Sequence, residues 1–265
     1  MLKGVDIIPQ GEFYDIVQPE SYSGAPINWV KEEGKPFLDP EKVSRLIECG
    51  KLFYDLSWAN GTSGNLSFKS ANGIGVTATR TELGKLTKED IVEVTNIHYE
   101  DEAPTVFFKA VGDKKPTSEV LAHWEIYKSM PHIKSILHGH DKLTTKMARI
   151  ISNHSPDIVG RTNNEPLQGT KEFADDLKII TRKHRRYLIA KGHGFFSLGE
   201  DFNEALGYAQ TIHFITRISR IPVSLRRRID PYLPKFLKGI TVPITDRFEG
   251  LVTLDVKYGV TKSLF

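Results

Sequence analysis

Between Lys134 and Lys142 the chain reads KSILHGHDK. Ser135-Ile136-Leu137 is an apolar run of strand-like residues, and it ends in His138 and His140 on either side of one glycine, with Asp141 following. In a strand, residues two apart share a face and stand roughly 6.5 Å apart at their α-carbons. If this run forms a strand, His138 and His140 can point the same way and converge on a single ion. Neutral imidazole nitrogen suits zinc at about 2.0–2.1 Å, and a catalytic zinc site takes three protein ligands and leaves a position open. A third ligand has to come from elsewhere. Taken alone, such a pair is also what an ordinary polar strand end looks like.

Three other stretches bear on the chemistry. His193 sits between Gly192 and Gly194, whose freedom permits a sharp reversal and close approach of a ligand, although a plain turn residue fits too. In KPTSEVLAHW, Thr117 and Ser118 open a predicted helix with Glu119 in its first turn, where helix capping would account for them. Glu119 also lies four residues before His123 on the same helix face, and a carboxylate held beside a cation there could serve as metal ligand or general base. NGTSGNLSFK, from Asn60 to Lys69, places Gly61, Thr62, Ser63, Gly64 and Asn65 between a helix and a strand. Such a loop can aim backbone N–H groups and small hydroxyls at a phosphate, or simply turn. It is neither a Walker loop nor a dinucleotide fingerprint.

The frame is that of a soluble globular protein. At 265 residues the chain is read as one domain with appendages. It has 39% apolar and 26% charged residues and no uninterrupted apolar window of about 18, so no membrane partner is expected. The N-terminus lacks the order of a secretory signal, and a cytoplasmic location is expected. The lone Cys49 cannot form an internal disulfide and reads as a small buried hydrophobe. Net charge is +3, and the basic clusters TRKHRR (181–186) and SLRRR (224–228) lack interleaved aromatics, so no nucleic-acid partner is expected.

Along the chain, residues 1–38 read as an arm with no sustained period. From Asp39 (N-cap) and Pro40 a helix is predicted, with apolar residues at Val43, Leu46, Ile47, Phe53 and Leu56 and a stop at Asn60-Gly61. NLSFK, GIGVTA, IVEVT and TVFFKAV read as strands of an antiparallel sheet, followed by the helix TSEVLAHWEIYKSM and the strand KSILHGH. KLTTKMARIIS and TKEFADDLKIITRK read as helices, and RYLIAKG and GFFSLG as a hairpin around Gly192-His193-Gly194. A long helix then starts at Asp201, with Glu204 completing a capping box and Ala205, Ala209, Ile212, Ile215 and Ile218 on one face. Residues 221–265 read as an extension, with a terminal strand expected at Leu251–Val256.

Taken in order, GTSGNLS, VTATRTELGKLTKEDIV, PTSEVLAHWEIYKSMPHIKSILHGHD and KGHGFFSLGEDFNEALGYAQTIHF resemble the class II aldolase and adducin head family over residues 39–220. The resemblance implies an α/β fold, a three-layer α/β/α arrangement with a mostly antiparallel central sheet covered by helices. It implies a homotetramer with active sites at subunit interfaces, and enzymes that are zinc-dependent aldolases, epimerases, dehydratases or decarboxylases of small phosphorylated sugars. Another divalent transition metal could replace zinc. Residue by residue, His138, His140 and His193 match the zinc ligands, and Glu119 matches the acid/base carboxylate that also ligates zinc when substrate is absent. Gly64, Asn65, Thr79, Arg80, Thr117 and Ser118 fall where the family binds phosphate. Two features depart from the pattern. The family's Thr-Gly reads Thr79-Arg80 here, which brings a cation to the pocket rim, suited to a phosphate or carboxylate. The segment between His140 and His193 is short, and its stretch SNHSPDIVGRTNNEPLQGT has no tyrosine to match the family's proton donor from the neighbouring subunit, leaving Tyr232 and Tyr258 of the extension as candidates. Adducin-like heads keep the fold without the zinc ligands, which makes a non-catalytic interaction protein the contrasting expectation.

Overall fold

The computed structural model describes residues 27–99, 103–165, 167–181 and 184–218, and the short strands at 241–242 and 252–253. The body runs β1 (Asn28–Lys31), α1 (Pro40–Asp55), β2 (Asn65–Lys69), β3 (Ile74–Thr77), β4 (Ile91–Tyr99), β5 (Pro104–Lys109), α2 (Val120–Ser129) and β6 (Ser135–Gly139). It continues through α3 (Lys142–Lys146), α4 (Ala148–His154), β7 (Val159–Arg161), α5 (Lys171–Thr181), β8 (Tyr187–Ala190), β9 (Gly194–Gly199) and α6 (Phe202–Ile218). β10 (Thr241–Val242) and β11 (Val252–Thr253) form a separate antiparallel pair.

Nine strands make one sheet in the order β1-β5-β4-β3-β2-β6-β9-β8-β7. Every pairing is antiparallel except at the two edges, where β1 runs parallel to β5 and β7 to β8. The mostly antiparallel three-layer fold expected from the sequence is thus present as a mixed sheet. Both edge strands escape sequence reading: β1 has four residues, lies in the predicted arm and shows no clean alternation, and β7 has only three.

Alternation along the central strands divides the core in two. Ile136, Leu188, Phe196 and Leu198 face one side, where Val120, Leu121 and Ile126 of α2 and Phe173 and Leu177 of α5 cover them. Leu137, Tyr187, Ile189 and Phe195 face the other, under Leu46 and Phe53 of α1, Ile151 of α4 and Ala205, Ala209 and Ile212 of α6. Each leucine, isoleucine, valine or phenylalanine among them withdraws apolar surface worth about 1.5–3 kcal/mol when fully buried.

Three helix boundaries differ from expectation for identifiable reasons. Asp39 caps α1 as predicted, its carboxylate accepting from the Glu41 and Lys42 N–H groups, but the helix stops at Asp55. Ser57 takes a left-handed φ of 58°, and Trp58 tucks back so that its N–H reaches Phe53 O at 2.9 Å. The Asn60-Gly61 signal comes too late because a serine makes the reversal. The run KLTTKMARIIS is divided at Met147 into α3 and α4. Helix α2 starts at Val120, three residues after Thr117, because Thr117 is drawn toward β3: its N–H donates to Thr77 O at 3.1 Å, and Ala78 bridges Pro116. At α6 the capping expectation holds in part. Asp201 accepts from Glu204 N–H at 2.8 Å, whereas Glu204 reaches back to the Glu200 N–H.

Cys49 lies in the second core at 1% exposure, and burial pushes its thiol up to about 11. Because the thiolate is the reactive form, iodoacetamide at pH 8 is expected to leave the native protein unmodified and to label Cys49 fully in urea. Rapid labelling of the native form would contradict the buried assignment.

Candidate metal centre

Strand pairing sets the site. β6 lies between β2 and β9, with Asn65 opposite His138 on one side and Phe196 opposite it on the other. Directly paired residues share a face, so Asn65, His138 and Phe196 form a row on the side covered by α2 and α5. His140, two residues on, lies just beyond the end of β6.

Glu119, His138, His140 and His193 meet there, with one ligand atom from each lying within 4.8 Å of all the others. Glu119 Oε2 is 3.0 Å from His138 Nε2, and Glu119 Oε1 is 2.7 Å from His193 Nε2. The Nε2 atoms of His138 and His140 are 3.0 Å apart. His193 arrives on the β8–β9 turn, where Gly192 takes a φ of 73° and the His193 N–H donates to Ala190 O. Glu119 occupies the residue before α2 and makes no side-chain capping bond, because the pull of β3 on Thr117 delays the helix. The first-turn capping role read from the sequence gives way to a carboxylate aimed at three imidazoles.

The donor set fits a cation. His138 Nδ1 is 2.8 Å from Phe195 O, a pure acceptor, so Nδ1 carries a proton and leaves Nε2 as the nitrogen that a cation in the cluster would take. His193 Nε2 is buried without an aligned hydrogen bond despite its proximity to Glu119. A tetrahedron of ligands around zinc has edges of roughly 3.3 Å; the neighbouring separations here are 2.7–3.0 Å, within a donor set that spans up to 4.8 Å. Burial pulls His140 down to about 3, with His138 and His193 adding to it, so its nitrogen is neutral and available. For Glu119, burial pushes the carboxyl up, but His138 and His193 outweigh this and hold it well below the usual range.

A second layer fixes the segment that carries His140. The His140 N–H donates to Trp58 O at 2.6 Å. Asp141 accepts from the Leu143 N–H and the Thr144 hydroxyl and stands 3.0 Å from His213 Nδ1 of α6; His213 Nε2 is 2.8 Å from the Tyr187 hydroxyl. Burial raises the Asp141 carboxyl, yet these partners hold it well below the ordinary value.

The remaining expected residues divide. Gly64 turns with a φ of 77°, and a Cβ there would meet His138 O at 2.9 Å, so the glycine lets the 60–64 loop lie against β6. Asn65 is committed to Glu119 and His123. Thr79 and Arg80 line a cavity of about 420 Å³ with Asp90, Asp113, Lys114 and Lys115, and Arg80 takes a φ of 55°. Thr117 is buried, its hydroxyl 3.4 Å from the Glu119 N–H, and Ser118 O lies against Gly169. His123 does not join the ligands. It is fully buried and bonds Ser67 and Asn65. Ser67 was not anticipated, although Asn65 and Ser67 alternating with Leu66 and Phe68 mark a polar row within a buried strand. The Phe195 and Trp58 carbonyls carry no side-chain signal at all. Tyr232 and Tyr258 lie outside the described residues.

The chain belongs to the class II aldolase and adducin N-terminal domain family, whose profile matches residues 44–219. Among curated relatives, it is 24% identical to the methylthioribulose-1-phosphate dehydratase of Pseudoalteromonas translucida, over 65% of this chain and 87% of that one. It is 28% identical to the L-fuculose phosphate aldolase of Methanococcus vannielii, over 69% and 97% of the two chains. The 3-oxo-tetronate 4-phosphate decarboxylase of Escherichia coli is 28% identical, over 62% of this chain and 78% of that one. The fold is shared with the L-fuculose-1-phosphate aldolase structure from Thermus thermophilus, at a TM-score of 0.54 and 19% identity, covering 74% of this chain and 98% of that one. No helix among the described residues is long and apolar enough to cross a membrane.

Two outcomes are expected. A Cβ on Gly194 would fall 2.5 Å from Gly139 O and 2.9–3.0 Å from the His140 and His138 rings, so Gly194→Ala should abolish metal uptake measured by plasma emission. Stoichiometric metal in that variant would contradict the packing. Burial pulls His123 down to about 3, below the unfolded value near 6.5. Stability tied to its neutral form is therefore whole above pH 6.5 and lost as the pH falls toward 3. In urea titrations of metal-free protein, the wild type should lose stability more steeply than His123→Gln between pH 6.5 and 4.5, and parallel curves would count against a buried neutral ring.

Proposed function

We propose that the protein is a zinc-dependent aldolase that makes or breaks a carbon–carbon bond in a small phosphorylated ketose. The observation that carries this is the convergence of Glu119 with His138, His140 and His193 in a buried site. A divalent ion held by these residues supplies Lewis-acid stabilisation of negative charge on the substrate's carbonyl and hydroxyl oxygens. Glu119 moves the proton: it takes one from the carbon beside the carbonyl in synthesis and returns it in cleavage. The two imidazoles beside it favour its ionised form, which is the form a base requires. Gly64, Asn65, Thr79, Arg80, Thr117 and Ser118 hold the phosphate, with Asn65 also bonded to Glu119. In this reading 39–220 is the catalytic domain, the working form is a cytoplasmic homotetramer, and residues 1–38 and 221–265 complete the site or the subunit contacts.

A second reading has an observation of its own. Arg80 stands in a left-handed conformation beside Lys114 and Lys115, where the resemblance leads one to expect glycine. A cation there suits a substrate with an additional carboxylate, which favours decarboxylation; dehydration and epimerisation use the same metal and carboxylate. The adducin-like alternative is opposed by retention of all four donors.

Purified protein incubated with dihydroxyacetone phosphate and short aldehydes should form a new carbon–carbon bond, read by mass spectrometry. Sugar-phosphate dehydration, epimerisation or decarboxylation without bond formation would replace the aldolase reading. His140→Ala should lose both metal and turnover, whereas Glu119→Gln should keep metal and lose at least about 100-fold in turnover. Wild-type protein that takes up no divalent metal would remove the enzyme reading.

A further inference from the structure

Behind Glu119 runs a buried chain of polar groups whose inner members, His123, Ser67 and Tyr127, neither the metal nor the phosphate assignment uses. Glu119 Oε2 is 3.2 Å from Asn65 Nδ2. Asn65 Oδ1 is 2.6 Å from His123 Nε2. His123 Nδ1 is 2.7 Å from Ser67 Oγ, which lies 3.0 Å from the Tyr127 hydroxyl. His123 and Ser67 are completely shielded from solvent, and Asn65 is 6% exposed.

Donor and acceptor chemistry permits one assignment along this chain. An ionised carboxylate only accepts, so Asn65 must turn its amide N–H toward Glu119 and its carbonyl toward His123. His123 must then donate from Nε2, and since a neutral imidazole holds one proton, Nδ1 accepts. Ser67 has one hydroxyl proton and spends it on Nδ1, so the Tyr127 hydroxyl donates to Ser67. Burial, which pulls His123 down to about 3, agrees with the single proton this requires. Every bond points from Tyr127 toward Glu119.

We propose that His123 is a positioning residue: backed by Ser67 and Tyr127, it locks the Asn65 amide in the one orientation that donates to Glu119, and so aims the carboxylate at the three imidazoles. The proposal rests on the reading that the cluster holds a divalent ion. An asparagine side chain rotated by half a turn would present its carbonyl to the carboxylate, and the two oxygens would repel. The His123 N–H removes that alternative, because after the flip it would face an N–H instead of an acceptor. A histidine that merely fills the core would leave Asn65 indifferent to its replacement.

The test uses the full chain, stripped of metal and titrated with Co²⁺, with the visible absorption band and the apparent Kd as readouts. Outer partners of metal ligands typically contribute about 10–100-fold in affinity, so His123→Phe should weaken cobalt binding about tenfold and shift the band. His123→Gln can still present an N–H to Asn65 and should restore both toward wild type. Asn65→Ala should match His123→Phe, and the double variant should be no weaker than Asn65→Ala alone, as expected for residues acting in series. Unchanged cobalt binding in His123→Phe, or losses that multiply in the double variant, would overturn the proposal. Should His123→Phe fail to fold by circular dichroism, Ser67→Ala carries the test. Loss of the hydroxyl that fixes the His123 tautomer is expected to weaken cobalt several-fold, and wild-type behaviour there would overturn it equally. Wild-type protein that binds no cobalt would instead bring down the metal reading on which this rests, whereas a wild type that binds normally confines any failure to His123.

Discussion

The register of β6 between β2 and β9 is the constraint on which the site depends. Pairing Asn65 with His138 and His138 with Phe196 places three side chains in a row on one face. A slip by one residue would send His138 into the opposite core, among Leu137 and Phe195. Register is enforced by what that face and its reverse bury: Ile136 against α2 and α5, Leu137 against α1 and α6. The apolar core thus does more than stabilise the sheet. It decides which side of it receives the imidazoles.

Around that row the structure uses backbone constraint as much as side-chain chemistry. The pull of β3 on Thr117 delays α2, and that delay releases Glu119 from capping to face the histidines. Two glycines, 64 and 194, permit main chains to pass at distances a methyl group would forbid. Close backbone approach of this kind is where glycine is needed for space as well as for dihedral freedom. The carbonyls of Phe195 and Trp58 then fix one ligand ring and the backbone of another.

The parts that were legible in the sequence share a physical basis in local pattern. NLSFK and GFFSLG are strands with the bounds read from their apolar runs, Asp39-Pro40 begins a helix, and the glycine-flanked His193 lies on a hairpin turn. The spacing of His138 and His140 pointed to a shared face because strand periodicity is strict. What stayed hidden was non-local. The parallel edge strands are too short to carry a pattern, and the early stop of α1 rests on a serine in a glycine-like conformation. The place of His123 behind Asn65 depends on β2 lying under α2, which no window along the chain reveals. Its four-residue spacing from Glu119 suggested a cation beside a carboxylate, whereas burial keeps the ring neutral.

The four donors stand at positions 119, 138, 140 and 193, on a helix entrance, a strand end and a distant hairpin. An unfolded chain has nothing that holds them near one another, so an ion gains its full ligand set only once the sheet has closed. Uptake would then act as a latch and not as a nucleus: it could not start the collapse, but it would penalise every reopening that separates the hairpin from β6. The molecule's resistance to unfolding would then become a function of ion concentration in its surroundings, tying the persistence of the folded chain to the same supply that would sustain its chemistry.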